Sequence, residues 1–155
     1  LHAIWFTRFG FSQWWKWPRC SHWIRKNRAG QHQLFCIESK KNAEKFQISN
    51  ITTIFGNAKE KISELESADV IFIGGTGGDT AEIVKLSENK LKSSGRIVIG
   101  IILIETLYSV LQILDKLKFD SIDITQVTIS KSRKTTTGTM MLARNPVTII
   151  SATKI

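Results

Sequence analysis

A chain of 155 residues with 42% hydrophobic and 23% charged side chains has the size and composition of one domain around one core, far from disordered or fibrous compositions. Its net charge of +9 is unevenly spread: residues 1–35 hold six basic side chains and no acid, so the remainder, with 16 basic and 13 acidic residues, contributes only +3. Nucleic-acid binders more usually carry a basic stripe over a folded face, so the balanced body reads as that of a small-molecule enzyme with no nucleic-acid partner.

No apolar run is long enough to span a membrane; the longest, Ile97 to Ile104, is broken by Gly100 and suits a buried strand. The start lacks the charged-then-apolar layout of a leader. Cys20 and Cys36 have neither metal-ligand nor redox spacing, so reduced thiols, a cytoplasmic location and no metal site are expected.

All five tryptophans fall in the first 23 residues, in a stretch with no sustained period of 2 or 3.6, no capping box and no hairpin turn. Residues 1–33 are therefore expected to be irregular, and residues 34–155 to form the folded domain. In that domain Leu34 to Glu38 is a short apolar run, Asn42 to Phe46 gives a helical turn or two, and the β-branched Ile51 to Phe55 is a strand. Ala58 to Glu66 carries Ile62 and Leu65 at helical spacing, and Val70 to Ile73 is a buried strand running into glycines. Thr80 to Leu91 is a helix with Ile83, Leu86 and Leu91 on one face and Val84 beside them. Ser93-Ser94-Gly95 is a turn, Ile97 to Ile102 a strand, and Glu105 to Leu117 a helix with Leu107, Val110, Leu111, Leu114 and Leu117 inward. Ile122 to Ile129 and Val147 to Ser151 are the last strands, joined by a Thr-, Lys- and Gly-rich loop too short of helical pattern to cross over. The alternation predicts an α/β fold, a parallel sheet with helices on both faces and an antiparallel pair at its end. Ligands in such sheets sit beyond the carboxyl ends of the strands.

Several residues fall at that edge. Glu38 is placed to accept from ribose hydroxyls, or is a solvated acid at a helix start. Gly56 permits a tight strand exit, and Asn57, followed by Ala58, either meets an adenine edge or caps the next helix. Gly74-Gly75-Thr76-Gly77-Gly78 follows a core strand and precedes a helix, with Asp79 or Thr80 as its cap; glycines there let backbone amides approach a ligand. The run is neither a Walker loop nor G-x-G-x-x-G. Glu105 opens a helix at the ligand edge, where an acid also suits the helix dipole. Lys131, Arg133, Lys134 and Arg144 flank the late loop and are either solvated or partners for substrate carboxylates.

From Ala68 onward the chain resembles the decarboxylating cobalt-precorrin methyltransferases of cobalamin biosynthesis. The resemblance is carried by ADVIFIGGTGG at 68–78, GRIVI at 95–99, LIETL at 103–107 and GTMMLARNPV at 138–147, and extends from Phe35 to the end. It implies a class I S-adenosylmethionine-dependent methyltransferase fold and methylation of a tetrapyrrole ring carbon with loss of carbon dioxide from an acetate side chain. It further implies a homo-oligomer, a tetramer. By resemblance Glu38 is the ribose acid, Asn57 and Ala58 form the adenine-side turn, and Gly74 and Gly75 face the cofactor. Thr76, Gly77, Gly78, Arg133 and Arg144 face the substrate, Glu105 is the candidate catalytic acid, and no metal belongs to the enzyme. The weighed alternatives are a methyltransferase of another substrate class, such as RNA, and a non-catalytic remnant.

The family's first strand ends in an acid-x-Gly-x-Gly-x-Gly loop around the methionine part of the cofactor. Here the tryptophan-rich stretch stands in its place, so that strand and loop are expected to be missing or disrupted. Because tryptophan has one codon, Trp14-Trp15-Lys16-Trp17-Pro18 can be reread: one base later it encodes Gly-Gly-(Asn or Ser)-Gly, and two bases later Val-Glu-(Met or Val)-Ala. Both suit the family better than the stretch as written, which points to out-of-frame translation.

Overall fold

The computed structural model describes residues 3–8, 20–25, 40–74, 79–117 and 119–155. Strands β1 (Ala3–Arg8), β2 (Cys20–Arg25), β3 (Ile51–Phe55), β4 (Ala68–Gly74), β5 (Leu91–Ile101), β6 (Phe119–Val127) and β9 (Val147–Lys154) make one sheet in the order β3-β2-β1-β4-β5-β9-β6. A separate hairpin joins β7 (Ser130–Lys134) to β8 (Thr139–Ala143). Helices are α1 (residues 40–45), α2 (Ala58–Lys61) continued by a 3-10 turn (Ile62–Glu64), α3 (Thr80–Glu88) and α4 (Ile104–Lys116).

The core is built from the strands that the apolar runs mark. Ile71, Ile73, Ile97, Ile99 and Ile150 have no exposure and meet Ile83 and Val84 of α3 and Val110 and Leu114 of α4 in one cluster. Alternation along β4 and β5 aims every second side chain at these helices, while on the other face Phe72 stays 38% exposed. β4 and β5 are parallel, β9 runs antiparallel to both β5 and β6, and β6 is the outer strand. This is the antiparallel ending expected from the missing crossover helix.

Three expectations change. The first is that residues 1–33 contain no regular element: β1 and β2 lie inside the sheet. Their segments, AIWFTR and CSHWIR, are rich in aromatic and β-branched residues, which suit a pleated surface even without alternation, and a sheet slot supplies the hydrogen bonds that a pattern search does not see. β2 pairs in parallel with β3, but β1 runs antiparallel to both β2 and β4, so this inner strand is reversed relative to an all-parallel interior. The run 34–38, read as the first strand, lies outside the described residues.

Second, the Ser93-Ser94-Gly95 turn is absorbed within β5. The register jumps from Ala68↔Leu91 to Val70↔Arg96, and Ser94 takes a φ of 59°. A Cβ on Gly95 would stand 2.8 Å from the Lys92 carbonyl and 2.9 Å from Leu91, so only glycine closes this bulge without displacing backbone. Leu91 thereby begins the strand and the helix before it ends at Glu88. Third, the late loop is the β7–β8 hairpin, closed by the Thr135 amide and hydroxyl donating to the Gly138 carbonyl at 2.7 and 2.9 Å. The threonines at 135–137 stay in the turn, and the strands on either side are the polar SKSRK and the apolar TMMLA, paired across it.

Candidate active site

Strand directions bring the turn after β3 and the end of β4 to one edge. Gly74 ends β4 beside Gly100 of β5, and β3 ends next to Gly56. Gly56 has a φ of 151°, which disfavours any side chain, and a Cβ there would reach 3.0 Å from Lys61. Asn57 then caps α2, its side-chain oxygen accepting from the Lys59 amide at 3.2 Å. Of the two roles open to Asn57 on sequence, capping is thus the one seen in its hydrogen bonds. Ala58 is buried in the core, which fixes this turn to the sheet.

The turn is also tied to the connection after β4. The Lys59 ammonium donates to Glu82 at 2.5 Å and lies 3.5 Å from Asp79. The Glu82 carboxylate that accepts from it, aided by Asp79, holds the Lys59 pKa above its ordinary value of 10.5. Asp79 precedes α3 as expected but makes no side-chain cap bond, and Thr80 is buried at the helix start. Glu38, Gly75, Thr76, Gly77 and Gly78 lie outside the described residues.

Beyond the ends of β5 and β6 an open pocket of about 420 Å³ is lined by Ile102, Leu103, Ile104 and Leu107, by Gln126 and Thr148, and by Asn145 and Pro146. Its volume is that of a small-molecule site. Leu103 and Ile104 are 59% and 79% exposed, an unusual concession for aliphatic side chains at a strand-to-helix junction. A signal for it stands in the sequence: three consecutive aliphatics, Ile102-Leu103-Ile104, occupy a junction where a solvent loop would be polar. Glu105 is exposed on the first turn of α4, adjacent in the chain to this lining but not part of it.

The cations divide into two groups. Lys92 pairs with Asp69 at 2.7 Å, and Lys154 pairs with Glu88 at 2.7 Å while also donating to the Glu88 and Leu91 carbonyls, so both pin the opposite edge of the sheet. Lys131, Arg133, Lys134 and Arg144 are exposed and form no ion pair with any described residue. After Asp123 the chain has no acid at all, against five basic residues. Lys131 and Arg133 share one face of the hairpin with their cross-strand partners Leu142 and Met140. The Arg144 amide donates to the Ile129 carbonyl at 2.8 Å, holding the chain where Asn145 and Pro146 enter the pocket wall.

A methyl donor needs a loop at the carboxyl edge after the central strand. β1 pairs Ala3 with Gly74 and Thr7 with Val70, so its first residue, not its last, is at that edge. The connection leaving Arg8 starts at the far edge, away from Asn57 and Gly74. The described residues therefore do not fit a complete S-adenosylmethionine cradle. Among them no group of three His, Cys, Asp or Glu could hold a metal, and no helix is long and apolar enough to cross a membrane.

Known proteins share this architecture. Residues 17–154 match the precorrin methyltransferase domain family, a match that begins inside the segment set apart on sequence. A probable cobalt-precorrin-6B C(15)-methyltransferase (decarboxylating) from Saccharolobus solfataricus is 43% identical over 118 residues, covering 75% of this chain and 59% of the relative. One of the same name from Sulfurisphaera tokodaii is 42% identical over 117 residues, covering 75% and 60%. The chain thus spans about three-fifths of the length of these relatives. The crystal structure of precorrin 8W decarboxylase from Methanobacterium thermoautotrophicum superposes with a TM-score of 0.71 at 32% identity, covering 86% of this chain and 69% of that one. An S-adenosylmethionine-dependent O-methyltransferase from Thermotoga maritima, at 17% identity and a TM-score of 0.62, shares the fold. The architecture is that of a class I methyltransferase, and the chain belongs to the precorrin methyltransferase family.

Proposed function

We propose that the chain is the substrate-side part of an S-adenosylmethionine-dependent C-methyltransferase acting on a precorrin or cobalt-precorrin ring in cobalamin biosynthesis, with decarboxylation of an acetate side chain. The observation that carries this reading is the pairing of an open apolar pocket with four exposed cations that no described acid neutralises. A corrin precursor is a broad apolar ring fringed with carboxylates, and Arg133 and Arg144 suit those carboxylates because a guanidinium donates to two oxygens at once. Gly74 and Gly75 are assigned to the cofactor side, with Glu38, Asn57 and Ala58 at the nucleoside; Thr76, Gly77 and Gly78 are assigned to the floor beneath the ring. Glu105 is assigned to proton or carboxylate chemistry. The assembly is proposed as a homo-oligomer, a tetramer.

Titrating the chain with a carboxylate-bearing tetrapyrrole, followed by absorbance, tests the reading. Affinity should fall with salt, and Arg144→Ala should weaken it about tenfold, the worth of a charge-assisted hydrogen bond. Salt-independent binding, or an unchanged Arg144→Ala variant, places the substrate elsewhere. A second reading, a non-catalytic remnant of the fold, is favoured by the reversed β1 alone; it predicts tetrapyrrole affinity without any turnover.

A further inference from the structure

We infer that the outer edge made by β6 and β7 pairs with the same edge of a second copy of this chain, antiparallel about a two-fold axis at Val127. The inference rests on the homo-oligomer proposed above and assigns one interface to it; it uses neither the pocket nor the tetrapyrrole. β6 is the last strand of the sheet, and Val127 at its end faces Val147 of β9. The ladder continues past that point: the Arg144 amide donates to the Ile129 carbonyl, and Ser130 of β7 faces Ala143 of β8. The extra residue at this junction lies on the inner side, between Ala143 and Val147, so the outer run from β6 into β7 is not the bulged one. Residues 119–134 thus form one long edge that no described strand covers. Residues 120–134 are all exposed, with Ile122, Ile124, Val127 and Ile129 at 41%, 50%, 38% and 51%. A long edge with aliphatic side chains and free backbone groups is a template for another strand, and a two-stranded hairpin such as β7–β8 is marginal without further cover.

The order of charges along this edge selects the occupant. Asp120 and Asp123 come first, then an uncharged stretch, then Lys131, Arg133 and Lys134. An antiparallel copy presents that order reversed, so acids meet cations, whereas a parallel copy sets acid on acid and cation on cation. With Val127 opposite its own counterpart, Asp123 stands opposite Lys131 of the second copy and Asp120 opposite Lys134, and symmetry repeats both pairs. Thr125 meets Ile129, Ile124 meets Ser130, and no two like charges face each other. The bulge at Ser121, with its φ of 51°, shifts the register before Asp123, which leaves Asp123 with Lys131 as the better defined pair. Arg133 falls opposite Ser121 and Arg144 lies off this edge, so both guanidiniums assigned to substrate carboxylates stay free of the interface.

The test is sedimentation velocity of the unmodified chain over a dilution series, with circular-dichroism melting to check that each variant folds. Self-association is expected. Asp123→Lys and Lys131→Asp should each raise the dissociation constant about tenfold, because two symmetric pairs turn from attractive to repulsive. Both positions are exposed, so neither change reaches the core. The double variant, Asp123→Lys with Lys131→Asp, faces opposite charges again and should return to within about threefold of the unmodified chain. That recovery is specific to this register, since charge on some other surface would leave the double variant no tighter than the single ones. A monomeric unmodified chain overturns the interface and the homo-oligomer reading together. An oligomer that both single variants leave unchanged, or that the double variant fails to recover, overturns the interface and leaves the homo-oligomer reading standing.

Discussion

The two halves of the sheet were made by different means. In β4, β5 and β9 the apolar runs bury inward side chains fully in one cluster with α3 and α4, and the sequence period, the burial and the register agree. The half from β1 to β3 has backbone pairing of the same kind, yet β1 runs against both neighbours, and its segment shows no period. Hydrogen-bonded strand slots accept almost any extended apolar segment, in either direction; ligand sites do not, because they depend on which end of the strand faces which edge. A sheet can therefore keep its strand order while losing the loop that made it bind.

The sharpest way to break this comparison is to restore direction. Replacing residues 1–33 by a parallel strand, a glycine loop and a helix should tighten S-adenosylmethionine binding at least about a hundredfold by titration calorimetry, since two charge-assisted hydrogen bonds to the methionine end are each worth roughly 1.5–3 kcal/mol. Ordinary tight binding by the unmodified chain would show that the reversal has no functional cost. Next in size, Leu114→Ala should destabilise the fold by about 2–5 kcal/mol in urea unfolding, as truncation of a fully buried side chain does, whereas Phe46→Ala, at 68% exposure, should change little. Equal effects at the two positions would mean that Phe46 is packed as tightly as Leu114.

Smaller again is Gly95→Ala, whose Cβ meets backbone at 2.8 Å; a loss of about 1–3 kcal/mol is expected, measured the same way. An unchanged midpoint would show that the β5 bulge yields easily. Smallest is Lys59→Met, which cuts the tie from the Asn57 turn to Glu82 and Asp79. Exposed pairs contribute little, so melting should drop by at most about 2 °C. The raised Lys59 pKa fixes the sign with pH: the contribution is present in full below 10.5 and fades only as pH climbs through the higher folded value, so neutral pH never reaches the loss. A Lys59→Met effect that grows toward acid pH would contradict that assignment.

The proposed site residues stand out in the sequence because they are of unusual type for their place. Gly56 and the glycines from Gly74 stand directly after strands, and Arg133 and Arg144 stand in an acid-free tail. The pocket was not legible, because its wall comes from the β5–α4 junction, β6 and the β8–β9 connection, segments well separated in the chain that only strand pairing brings together. Asn57 was ambiguous because one amide suits both a helix cap and a ligand; its 3.2 Å bond from the Lys59 amide shows the cap, and the adenine-side role is a proposal.

By itself the sequence determined the later strands and helices, their inward faces, the antiparallel ending and the family, since these follow from local period and motif. Tertiary structure alone decided that Cys20–Arg25 fills the slot beside β3, that the Thr-rich stretch is a hairpin and that β1 is reversed. Strand pairing satisfies backbone groups whatever side chains they carry, and its direction is chosen by which neighbouring edges remain open, a property of the assembled sheet that no local run of residues encodes.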